Sequence, residues 1–118
     1  MCIRDSIESV YAATDLFVFP SHQEPLACAM LSAMAYGLPV VAFARGGNPE
    51  ALVDGQNGLL AAEFNSGSLA SAIARLLANS DEARRIADAA RETVIARFSA
   101  DHMVDATLRL YERLLRKE

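Results

Sequence analysis

The sequence predicts an α/β fold: three short parallel strands, flanking helices and a helical C-terminal tail. Three observations carry that expectation. Leu16-Phe17-Val18-Phe19 and Val40-Val41-Ala42-Phe43 are continuous apolar runs, the pattern of parallel strands covered on both faces. A single stretch of helical character, Pro25 to about Tyr36, lies between them and makes the unit a right-handed βαβ crossover. From Leu69 onward, apolar residues recur at helical spacing through three successive segments, as core-facing helices require.

Taken in order, Met1 to Ser6 (MCIRDS) carries no usable pattern and reads as the scar of a cut instead of a native terminus. Ile7, Val10, Tyr11 and Thr14 recur at helical spacing, and Asp15 marks the change of period into the first strand. Pro20-Ser21 ends that strand, and a polar loop carrying His22 and Glu24 follows. Pro25 suits the first helical position, since its fixed φ fits there and its missing N–H has no intrahelical partner to lose. That places Glu24 at the helix mouth. Gly37 can take the left-handed conformation beyond the helix end, and Pro39 stops the helix from resuming.

Beyond the second strand, Gly46-Gly47 permits a tight turn with positive φ, and Asn48-Pro49-Glu50 opens a brief helix. Asp54-Gly55-Gln56-Asn57-Gly58 is a double turn signal, with a third strand expected over about Gly58 to Ala62. The tail offers three apolar stripes: Leu69, Ile73, Leu76 and Leu77; Ile86, Ala90, Val94 and Ile95; Met103, Thr107, Leu110, Tyr111 and Leu114. Ser80 and Ser99 are candidate N-caps for the second and third helices. Arg113, Arg116 and Lys117 complement the negative end of the last helix dipole. The division is residues 1–6 unassigned, a βαβ core over 7–62 and a helical tail over 67–118.

The 118 residues make one domain, long enough to bury roughly two-thirds of the unfolded surface. A net charge of −4 leaves no basic face for a phosphate backbone, which excludes nucleic acid as a partner. Cys2 and Cys28 stand far apart in sequence, forming neither a metal-ligand spacing nor a disulfide framework. Cys28 reads as a small core residue of the apolar helix. No cofactor is implied. No apolar run reaches the roughly 18–20 residues that span a bilayer and no signal peptide opens the chain, so a cytoplasmic protein is expected.

Unpaired N–H groups and the positive dipole end at a helix mouth can hold an anion such as a diphosphate. In an open α/β sheet, that mouth lies at the usual ligand-binding end. The same Glu24 also fits a plain favourable charge at a helix N-terminus. Gly46, Gly47 and Glu50 likewise fit a tight turn followed by a favourably charged helix start.

PSHQEP, AMAYGLPVVAF, GGNPEALVDGQNGLL and the tail from LASAIARLL to VIARFS, in that order and spacing, resemble the C-terminal domain of GT-B type retaining glycosyltransferases. The resemblance covers about Ile7 to Glu118. It implies a partial Rossmann-like half-domain holding the donor site for a UDP- or GDP-sugar. Of the family's two glutamates eight positions apart, the first contacts hydroxyls of the transferred sugar, and Glu24 stands there as the implied catalytic and substrate-binding residue. The second grips the ribose, and Ser32 replaces it. A serine hydroxyl is shorter than a carboxylate and a weaker acceptor, a loss of ~1.5–3 kcal/mol of nucleotide affinity. Ser32 also fits a mid-helix serine bonded to its own backbone.

Ala27 occupies a position where the family often has glycine, and Leu26, Ala27 and Cys28 are expected to offer backbone N–H groups to the donor. Gly46 and Gly47 match the family's glycine pair beside the donor pocket, and Glu50 matches the acidic residue after it. His22 and His102 read as surface residues. The family's first three strands, the cationic pair that neutralises the donor diphosphate, and the acceptor domain have no counterpart in these residues. The chain is therefore expected to be a fragment without transferase activity of its own. The alternative, favoured by Ser32, is a non-catalytic binding module docking on a separate acceptor-domain subunit. The first strand, left as an open apolar edge, invites self-association.

Overall fold

The computed structural model describes residues 6–116. Expectations attached to residues 1–5, Cys2 and Lys117 lie outside the described residues. The elements run α1 (Ile7–Ala12), β1 (Phe17–Phe19), α2 (Cys28–Ala35), β2 (Val40–Phe43), α3 (Asn48–Ala51), β3 (Leu59–Ala61), α4 (Ser66–Ala78), α5 (Ser80–Arg97) and α6 (Ala100–Leu115). The three strands pair in parallel in the order β1-β2-β3, as the apolar runs predict.

Strand β2 is central and every residue in it is buried. Alternation along it feeds two cores. Val40 and Ala42 pack with Met30 and Met34 of α2 and with Ala90 of α5. Val41 packs with Leu59 of β3, Leu76 of α4 and Ile86 of α5. Helix α5 therefore contributes to both clusters, which explains why a segment with so many charges is held firmly. Tyr11 stacks on Tyr36 with ring centroids 5.1 Å apart and donates its hydroxyl to Ala29 O at 3.2 Å, docking α1 onto α2.

The helix ends follow local chemistry. Gly37, at φ 70°, completes a Schellman closure: its N–H donates to Met34 O at 2.9 Å and that of Leu38 to Ala33 O at 3.1 Å. Ser99 caps α6 by accepting from His102 N, as expected, and Ser6 caps α1. Helix α5 is capped instead by Asn79, which accepts from Glu82 N. Ser80 is thus its first helical residue. An amide oxygen one residue earlier outcompetes the expected serine.

Two stripes are narrower than the spacing implies. Leu77 is 68% and Ile95 62% exposed, although Leu76 and Ile86 are buried; each exposed residue follows a core-facing one by a single position, about 100° around the helix. Helix α6 buries no residue, and Met103, Leu110, Tyr111 and Leu114 present its apolar stripe to solvent.

The sheet margins differ. On β3, the Asp54 carboxylate accepts from Leu60 N at 2.8 Å, occupying a backbone donor, and the Asp54–Gly58 bridge closes the turn before it. Strand β1 pairs with β2 alone among the described residues and is half-buried throughout. Asn57, buried, ties the preceding turn to α5: its Nδ2 donates to Ala51 O at 2.9 Å and to Thr93 Oγ1 at 3.0 Å.

Truncating Ile86 to alanine is expected to cost about 2–5 kcal/mol in urea unfolding, and Leu77→Ala about 0.5 kcal/mol or less. Arg75 Nε donates to Glu82 at 3.1 Å, and this hydrogen bond holds the Glu82 carboxyl below its ordinary range. A depressed carboxylate pKa stabilises the fold above the unfolded-state value, and that contribution fades as pH falls through the folded one. Glu82→Gln is therefore expected to destabilise the fold at pH 7 and to do so less on acidification below about pH 4; a constant difference between parent and variant urea midpoints would contradict it.

Candidate functional site

All three strands point their carboxyl ends at one side of the molecule, where the loops 20–27, 44–47 and 62–65 emerge. In parallel α/β sheets this is the ligand-binding side. The first loop is longer than expected. Helix α2 starts at Cys28, with Ala27 as an extended N-cap at φ −80°, ψ 115°, and not at Pro25. Pro25 and Glu24 are therefore loop residues, set back from the helix mouth.

The reason lies in the second loop. Gly47 N–H donates to Glu24 O at 2.9 Å. A Cβ at Gly46 would lie 2.0 Å from Glu24 O, and one at Gly47 would lie 1.4 Å from Pro25 O. The two loops are in backbone contact that only glycine permits, and the contact holds Glu24–Leu26 out of the helix. Gly46 also takes the expected positive φ, 56°, whereas Gly47 sits at φ −82°. Gly47 spends its amide on the neighbouring loop.

This placement leaves donors open. Among the described residues the amides of Leu26, Ala27 and Cys28 meet no acceptor. Glu24 is exposed and Ala27 buried. Cys28 is exposed, contrary to the core position expected of it, because the first residue of α2 faces the loop instead of the sheet. Ser32 is half-buried on α2 and its hydroxyl makes no hydrogen bond among the described residues, so the expected bond to its own backbone is absent. Glu50 is exposed in the first turn of α3. Asn48 anchors that turn by donating from Nδ2 to Phe43 O at 3.0 Å. His102 is exposed on α6, away from these loops.

Sequence reasoning passed over one cluster. Phe64, from the third loop, receives His22 edge-on at 4.7 Å and Phe43 at 4.5 Å, and the Arg45 guanidinium lies 4.3 Å over its ring. One side chain thus joins residues from all three loops. The signal was available: Arg45 and Phe64 stand shortly after β2 and β3, where a parallel sheet presents ligand-facing residues.

The fold is half of a Rossmann-like domain with its open loops gathered at one end. The sequence model of the family "Glycosyl transferases group 1" matches residues 3–93, and the chain belongs to that family. It is 39% identical over 114 residues to the alpha-maltose-1-phosphate synthase of Mycolicibacterium smegmatis, covering 92% of this chain and 30% of that protein. The C-terminal domain of the glycosyl transferase group 1 protein LpcC from Francisella tularensis superposes with a TM-score of 0.76 at 32% identity, over 85% of this chain and 52% of that one. The Anabaena HepE structure in complex with UDP superposes with a TM-score of 0.81 at 31% identity, over 96% of this chain and 30% of that one. The match is to the C-terminal GT-B domain, as the motifs imply. The chain spans about 30% of the length of the curated relatives it matches.

Because the Gly47 contact is backbone against backbone, Gly47→Ala is expected to cost roughly 3 kcal/mol or more. Gly55→Ala, at φ 73° with open space around its Cβ position, should cost only about 1–2 kcal/mol. Urea unfolding of both variants checks the order, and equal losses would remove the special status of the loop contact.

Proposed function

We propose that this chain is the donor-side portion of a retaining glycosyltransferase and carries part of the site for a UDP- or GDP-sugar. The observation that supports this most is the run of three unpartnered amides, Leu26, Ala27 and Cys28, beside Glu24 at the carboxyl end of a parallel sheet in a chain of this family. In this reading the amides hold the donor's phosphate oxygens and Glu24 accepts hydrogen bonds from hydroxyls of the transferred sugar. Gly46 and Gly47 act through the loop they seat, and Glu50 favours the short helix behind it. The complex of HepE with UDP supports a uridine nucleotide as the first ligand to try.

Catalysis needs more than these residues. Departure of a diphosphate calls for preorganised positive charge, and an acceptor hydroxyl must be held against the sugar. The groups that hold the acceptor, and the cationic pair expected on the diphosphate, are assigned to residues other than these, so the 118-residue chain is inactive alone, and its place is the cytoplasm. The unpaired edge of β1 and the uncovered stripe of α6 support a requirement for further chain, in cis or in trans. Ser32 supports a second reading, a binding module that docks on an acceptor-domain subunit without contributing catalysis. In isolation, the β1 edge pairs with a second copy.

Calorimetric titration with UDP and GDP tests the site. Weak binding is expected, rising about tenfold in Ser32→Glu, while Glu24→Ala loses the preference for UDP-glucose over UDP. Absence of binding in both parent and Ser32→Glu would overturn the donor-site reading, and product formation by the purified chain from a UDP- or GDP-sugar would overturn its inactivity. Light scattering should show concentration-dependent self-association; a monomer at high concentration would count against edge pairing.

A further inference from the structure

Arg45 is held more tightly than a surface arginine needs to be. Its N–H donates to Phe43 O at 2.8 Å and its carbonyl accepts from Asn48 N at 3.2 Å, so the backbone is pinned on both sides. Its guanidinium lies 4.3 Å over the Phe64 ring, and Phe64 is itself fixed by Phe43 and His22. Stacking of this kind fixes the plane of the fork and leaves its N–H donors pointing outward.

Those donors have no internal use. Among the described residues no carboxylate lies within 4.0 Å of Arg45, whereas Arg75 and Arg85 both engage Glu82. The nearest acidic neighbour in sequence to Phe64, Glu63, instead accepts from Asn65 Nδ2 at 2.8 Å. A cavity of about 160 Å³ opens beside the guanidinium, lined by Phe43, Ala44, Arg45, Ala61, Ala62 and Phe64. Arg45 carries the one charged side chain among them. A preordered guanidinium beside a small cavity, at the carboxyl end of the sheet, suits bidentate contact with a planar or tetrahedral oxyanion.

We propose that Arg45, ordered by Phe64, is a phosphate-contacting residue of the ligand site, separate from the open amides of the first loop. The phosphate belongs either to the nucleotide donor or to a phosphorylated acceptor sugar. The site itself follows from the Arg45 geometry; only the identity of the phosphate's carrier rests on the donor-site reading above.

Titration of the 118-residue chain with inorganic phosphate, glucose 6-phosphate, glucose and UDP, followed by calorimetry and by amide NMR, tests this. Phosphate and glucose 6-phosphate are expected to bind in the millimolar range and shift resonances of residues 43–47 and 61–64. Arg45→Gln should weaken phosphate binding tenfold or more, and Phe64→Leu severalfold, with unchanged circular dichroism. Loss of glucose 6-phosphate binding with UDP retained places the phosphate on the acceptor; loss of UDP affinity places it on the donor. Either outcome supports the assignment. Glucose 6-phosphate binding that depends on Arg45 while UDP binds no variant keeps the assignment and removes the donor-site reading. No phosphate binding by the parent, or equal affinity in Arg45→Gln, overturns it.

Discussion

The contact that organises this molecule is the apposition of two backbones, Gly46-Gly47 against Glu24–Leu26, closed by the 2.9 Å hydrogen bond from Gly47 N–H to Glu24 O. No side chain fits between the loops. Because the first loop is anchored there, it cannot continue as helix, and α2 begins only at Cys28. The delay leaves amides without acceptors, and unsatisfied amides that reach a ligand are what a phosphate-binding loop consists of. The glycines thus shape the neighbouring loop through backbone contact.

Beneath the loops, rigidity comes from β2 and α5. A central strand buried on both faces transmits the position of α2 to α4, and α5 joins both cores through Ile86 and Ala90. The loops after β2 and β3 inherit that order, which is how Arg45 and Phe64 come to meet at a fixed distance. Functional groups on short connections are precise when the elements beneath them are well packed.

Much of this was legible in the sequence. The continuous apolar runs gave the parallel strands, Gly37 and Pro39 the end of α2, and Ser99 the cap of α6. The family motifs matched the family of the chain. What escaped was non-local. Pro25 carries a strong local preference for a helix start, but the approach of a loop some twenty residues away overrides it. Helical periodicity placed Leu77 and Ile95 on core faces because spacing alone cannot measure the width of a buried stripe. Cys28 looked like core because it lies in an apolar helix, but as the first residue of α2 it faces the loop. The positions of Arg45 and Phe64 just after β2 and β3 are readable in the sequence, but their stacking joins two loops that no sequence period relates.

The unequal margins of the sheet have an architectural consequence. With Asp54 already occupying the Leu60 donor, growth beyond β3 would first have to break a charge-assisted bond, whereas β1 offers its free side without that obstacle. Among the described residues, addition of a further strand is therefore less hindered beside β1 than beside β3.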